Sequence, residues 1–240
     1  MLQQPTTSNL IRFGILALPL SGLLTLVGLI GRYQIPNVRE DPKAAVEAAS
    51  SSEFFVSQLV GNVLGMMLLI FGVLALTAYL ANTRVGGMAL GAMVVSVAGI
   101  ALILSALGVT TYVLPEISRA YLSGQQEALG IVEPIFQGLV GILFVPVFLL
   151  YSAGFILFGV CIWRSGVLPK PAAISLGIHA PLFATFIRPE PNWTSIVGAL
   201  LFILGGTMVA LKVFRRSSAG EAKVEVERPV EGDPKRIDRE

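Results

Sequence analysis

Apolar residues in this chain come in long unbroken blocks and do not alternate with polar ones. The plainest blocks are Ile11–Gly31, Leu59–Ala81, Gly87–Val113, Gly138–Trp163 and Ile196–Val213. Each is long enough to cross a hydrocarbon core, which takes about 20 residues of helix. A sixth block, Ala172–Ile187, is shorter and holds His179 and Pro181. Arg164 and Lys170 precede it and Arg188 follows it, and without it the last block would carry reversed flanks. Tilt or local thinning lets so short a block cross at modest cost. The pattern predicts an all-α fold, a polytopic transmembrane helical bundle of about six spans, over residues 1–216. The first block is longer than a signal-peptide core and reads as a retained helix.

Polar segments divide into tight and long connections. Asn82–Gly86 and Arg164–Pro171 are tight, so spans two and three form one hairpin and spans four and five another. The longer segments, Arg32–Gln58 and Leu114–Gln137, have room for short amphipathic helices. Lys43–Ser52 is alanine-rich, and Ile117, Tyr121, Ala128, Val132 and Ile135 recur at helical spacing, with Gly124 placed to break that helix in two. These segments read as a lid, as a docking face, or simply as packing over the outer ends of the helices.

Composition then removes whole classes of function. With 54% hydrophobic and 13% charged residues and a mean hydropathy of +0.77, the chain lies outside the range of water-soluble domains. Its polar segments fall short of the roughly 50 residues an independent domain needs. Net charge is +2 with the bases dispersed, so nucleic acid is not an expected partner. The bilayer is, and another membrane protein is the second partner class. Ser217–Glu240 mixes both charges without aromatics and is expected to be a disordered charged tail.

Lys and Arg set the expected orientation. Arg12, Arg84, Arg164, Lys170, Lys212, Arg215 and Arg216 flank the spans on the side of both termini; Arg32, Arg39, Lys43, Arg119 and Arg188 flank them on the other. The positive-inside rule then puts both termini in the cytoplasm of a cell-membrane protein. Tyr33, Phe54, Phe55, Tyr112 and Trp193 fall at outer boundaries, and Phe13, Tyr79 and Trp163 at inner ones, as aromatic belts do.

Few residues offer chemistry. His179 is the only histidine and lies mid-span, where an ionisable group is expensive and faces protein or water. Pro181 withholds an N–H from the Gly177 carbonyl, freeing an acceptor near the imidazole. The pair suits either a hydrated intramembrane site or a neutral ring bonded to a neighbouring helix. Asn62 is the second candidate, since its amide needs partners in lipid. Gly61 and Gly65, Gly87 and Gly91, and Gly206 with Ala210 put small residues four apart, a pattern that packs helices within a chain or between chains. Cys161, the one cysteine, reads as a packing residue. One His, no second Cys and no intramembrane carboxylate leave neither a metal set nor an acid–base pair, so no cofactor and no catalytic residue are expected.

The stretch Phe158-Gly-Val-Cys-Ile-Trp-Arg-Ser-Gly-Val-Leu-Pro169, with its Trp-Arg-Ser-Gly-x-Leu-Pro end before another apolar block, resembles uncharacterised prokaryotic six-span membrane proteins. The resemblance implies a layout of long outer loops and tight inner turns, and no activity or site residue comes with it. Three functions follow from the sequence: a non-enzymatic accessory or scaffold subunit first, a small-solute or lipid carrier with a cavity near His179 second, and a membrane enzyme last. A polar cavity reaching His179 favours the carrier; a solid apolar core with an exposed apolar groove favours the scaffold.

Overall fold

The computed structural model describes residues 7–33, 41–135, 138, 141–187 and 193–226, and every regular element among them is helical. The helices are α1 (Thr7–Tyr33), α2 (Pro42–Ala49), α3 (Ser52–Ala81), α4 (Gly86–Leu122), α5 (Leu129–Pro134), α6 (Gly141–Ser165), α7 (Lys170–Phe183) and α8 (Trp193–Val226). Five of them, α1, α3, α4, α6 and α8, are long and apolar enough to cross a membrane.

Close contacts fix the direction of each helix. Gly14 abuts Ala75, Gly65 abuts Thr25 and Gly28 abuts Asn62, so α1 and α3 run antiparallel. Gly22 against Ile203 and Gly206 against Leu18 and Pro19 set α1 antiparallel to α8. Ser96 on α4 meets Gly154 on α6, and Gly99 meets Tyr151. Gly159 meets Ala173, and Gly198 meets Phe183, so α7 opposes both α6 and α8. Each long helix therefore packs on two neighbours in the ring α1–α3–α4–α6–α7–α8, which closes on α1.

In the ring, α6 and α8 run the same way, so α7 and its extension return the chain between them. α7 has 14 residues and continues as four residues of 3-10 helix, Ala184–Ile187. At about 1.5 and 2.0 Å per residue these span about 29 Å, close to the roughly 30 Å of a hydrocarbon core.

Three sequence expectations need correction. The third span does not stop at Val113: α4 continues to Leu122 as a helix of 37 residues, about 55 Å long. Pro115 gives the Thr111 carbonyl no N–H and its ring crowds that carbonyl. The helix absorbs this by widening to i→i+5 bonding over Val109–Val113, without ending. The first half of the expected outer helix is therefore the top of α4. Second, Phe54 is buried among outer helices and is no lipid-facing anchor. Third, residues 217–226, expected to be disordered, continue α8. Adding residues to an existing helix avoids the costly nucleation step, and Ala219, Glu221, Ala222 and Lys223 include good helix formers. Residues 227–240 lie outside the described residues.

Gly124, at φ 99°, does break the outer segment in two. α2, the top of α4 and α5 then bury a separate cluster that includes Val46, Phe54, Ile117, Tyr121 and Val132. On the opposite side the two tight turns are joined: the Arg84 guanidinium donates from Nε (2.7 Å) and Nη2 to the Arg164 carbonyl, one of the acceptors left open where α6 ends.

Candidate functional site

The His179 ring is fully buried where α6, α7 and α8 meet. The spacing Tyr151, Phe155, Phe158 puts three aromatics on one face of α6, and Phe183 lies one turn from His179 on α7. Phe155 meets the imidazole edge to face at 4.7 Å, and Phe202 of α8 lies 4.6 Å from it at a 44° tilt. Tyr151 stacks near Phe155 at 4.8 Å and Phe183 at 5.7 Å. Gly198 lets α8 come this close, because a Cβ there would sit 2.6 Å from the Phe183 nitrogen.

Both ring nitrogens are paired. Nδ1 lies 2.5 Å from the Leu176 carbonyl, which can only accept, so Nδ1 carries the proton and donates. In the neutral ring Nε2 is then an acceptor, and the Tyr151 hydroxyl donates to it over 3.2 Å. The imidazole takes the carbonyl of Leu176, one residue before the Gly177 carbonyl that Pro181 frees. Beside this pair is a small space of about 10 Å³, lined by Ser21 and Thr25 of α1, Met66 and Leu69 of α3, and Tyr151, His179 and Phe202. It is about the size of one water. The Ser21 hydroxyl is bonded to the Leu18 carbonyl at 2.8 Å.

Asn62 belongs to a second polar pair. It sits on α3 where Ser57–Leu64 bonds i→i+5, and its Nδ2 donates to Gln58 Oε1 at 2.8 Å. Both side chains are buried against α1, with Gly28 leaving room for the amide. Among the described residues Gln58 Nε2 has no hydrogen-bond partner. The structure therefore keeps Asn62 and His179 in separate pairs, with Met66, one turn from Asn62, at the wall of the His179 space.

The glycines divide similarly. A Cβ on Gly61 would run into the Gly28 backbone, one on Gly65 would lie 2.8 Å from Thr25 Oγ1, and one on Gly206 would lie 3.0 Å from the Pro19 nitrogen. Gly87 and Gly91 are exposed with nothing within 4 Å, so within this chain they pack no helix pair. Cys161 is buried in the main core.

Sequence reasoning missed Tyr151 and Gln58. Tyr151 falls inside an apolar block, though a phenol in mid-span needs a partner as an imidazole does. Gln58 lay one residue outside the block that began at Leu59. Among the described residues no three His, Cys, Asp or Glu side chains cluster as a metal site. No carboxylate among the described residues bonds His179, and both its nitrogens are engaged, an arrangement that can hold the three helices together. Hydroxyl groups also close the turn from α7 to α8, where Thr185 Oγ1 lies 2.6 Å from Thr194 Oγ1.

No family model matches the chain, and no curated protein and no solved structure matches it either.

Proposed function

We propose that this chain is a multi-pass integral membrane protein that acts without catalysis, as an accessory or scaffold subunit of another membrane protein. The observation that carries this reading is the solid core. The six-helix ring closes on packed aromatic and aliphatic side chains, and the space that His179 lines among the described residues is about 10 Å³. Ligand sites for small molecules run to roughly 300–1,000 Å³. An apolar concavity of about 530 Å³ lies on the outside of the ring, between α6 and α7. A carrier reading would need the His179 pair to open, and its two hydrogen bonds and surrounding rings oppose that.

In this reading α7 makes the sixth crossing and both termini face the cytoplasm of a cell membrane. Arg12, Arg84, Arg164, Lys170, Lys212 and Arg215 then share one face, as the positive-inside rule asks. Arg12 over the Phe214 ring at 5.2 Å, and Arg84 on the Arg164 carbonyl, tie these ends together. The outer cluster of α2, α4 and α5 gives the opposite face a folded surface beyond the bilayer.

The test is purification from the native membrane in mild detergent, with mass spectrometry of all that accompanies the protein. The expected result is one membrane protein in constant ratio. A solitary chain that moves a solute across reconstituted vesicles would refute the scaffold reading.

A further inference from the structure

The outward groove between α6 and α7 has an unusual combination of length, lining and mouth. It is an open depression of about 530 Å³, and every residue lining it is apolar; Val160 and Trp163 come from α6 and Ile174, Gly177, Ile178 and Leu182 from α7. Gly177 lines it and has nothing within 4 Å of its missing Cβ, so the groove is open where a side chain is absent. From Ala173 to Leu182 it runs ten residues of helix, a rise of about 14 Å. That is about half of the roughly 30 Å hydrocarbon core, the depth of one leaflet. A partner transmembrane helix would follow the full thickness.

The end of the groove near the tight turns is cationic. Lys170 Nζ lies 5.0 Å from the Trp163 ring centroid, joining a basic group and an indole as expected at headgroup depth. Arg164 is adjacent in sequence, and Arg84 is held beside it by its bonds to the Arg164 carbonyl. Neither 82–86 nor 164–171 contains an acidic residue. An open apolar groove one leaflet long, with positive charges beside one end, fits an amphiphile with a negative head.

We propose that the α6–α7 groove holds one acyl chain of an anionic glycerophospholipid from the leaflet on the side of the tight turns, its phosphate held by Lys170 and Arg164. The site rests on α7 crossing the bilayer and is independent of the scaffold role. The bound chain covers the exposed Ile174 and Ile178, and the headgroup bridges the two helices of the hairpin.

Trp163 reports on the groove directly once the other tryptophan is replaced by Trp193→Phe. The full chain carrying that change is reconstituted in phosphatidylcholine vesicles containing phosphatidylglycerol with bromine on its acyl chains. A matched preparation has the same fraction of brominated phosphatidylcholine. The anionic lipid is expected to quench Trp163 more strongly. Lys170→Gln and Arg164→Gln should each lower that preference by a factor of about 5, the contribution of one basic residue near a membrane surface. Gly177→Leu fills open space without disturbing a neighbour and should reduce quenching by the anionic lipid. Equal quenching by both lipids, unchanged in Lys170→Gln, overturns the site while leaving the six-crossing reading intact. No quenching by either lipid overturns the site. Equal quenching that falls as protein density in the vesicles rises assigns the groove to a second copy of the chain and overturns the lipid site.

Discussion

Tyr151→Phe isolates the hydrogen bond that ties α6 to α7 at the centre of the bundle. The substitution keeps the ring that packs on Phe155 and Phe183, so no cavity and no change in apolar burial enter the balance. It removes only the hydroxyl that donates to His179 Nε2 and leaves that nitrogen unpaired inside a fully buried site. Orphaning a buried acceptor costs about 1–3 kcal/mol. Side-chain hydrogen bonds between membrane helices average about 0.6 and reach about 1.7 kcal/mol, because the unfolded chain in lipid also finds partners. The rings of Phe155 and Phe202 carry no donor, so only a water in the adjoining space can replace the phenol, and the cost is set at about 1.5 kcal/mol. That is roughly a tenfold shift in the folded-to-unfolded ratio. Reversible unfolding in mixed detergent micelles measures it. In a His179→Phe background the same change removes a hydroxyl that has already lost its partner, so it should become neutral or stabilising. The two effects therefore differ in sign, and the double-mutant cycle reads the coupling directly. Equal effects of Tyr151→Phe in both backgrounds would refute the bond and the structural role given to His179.

Two further outcomes test the packing and the topology. Gly61→Leu forces α1 and α3 apart at the Gly28 backbone and should cost about 1–3 kcal/mol in the same unfolding assay, whereas Gly87→Leu, with open space around it, should change stability by no more than about 0.5 kcal/mol; equal losses would contradict the assigned helix contacts. Cysteines introduced at Ser123, in the exposed turn after α4, and at Ser218, beyond the last crossing, should react with impermeant reagents from opposite sides of the membrane, and same-side labelling would remove the six-crossing reading.

Lipid makes one part of this protein legible without any structure. Water is absent from the hydrocarbon region, so each crossing must satisfy its own backbone, and helix follows from the lengths of the apolar blocks alone. The hairpins at 82–86 and 164–171 and the break at Gly124 are equally local, because a short polar connection or a residue at positive φ needs no distant contact. His179 and Asn62 stand out for the same reason: a polar group in an apolar block is costly wherever the block packs.

What those groups bond to was decided only by packing. Tyr151 lies 28 residues before His179, and its hydroxyl reaches the ring because Gly159 and Gly198 let α6 and α8 close on α7. No spacing in the chain encodes that approach. Nor does sequence alone distinguish Gly61, pressed on Gly28, from Gly87, which faces open space, since both carry the same small-residue pattern. The continuation of α4 past Val113 likewise depended on burying Leu114, Ile117 and Tyr121 against α2 and α5, a gain that only neighbours from other loops supply. Local hydropathy determined which segments are helices in a membrane. The ring closure that fills the core, leaves one water-sized space beside His179 and turns the α6–α7 groove outward came from the tertiary structure, because shape complementarity between distant helices sets it.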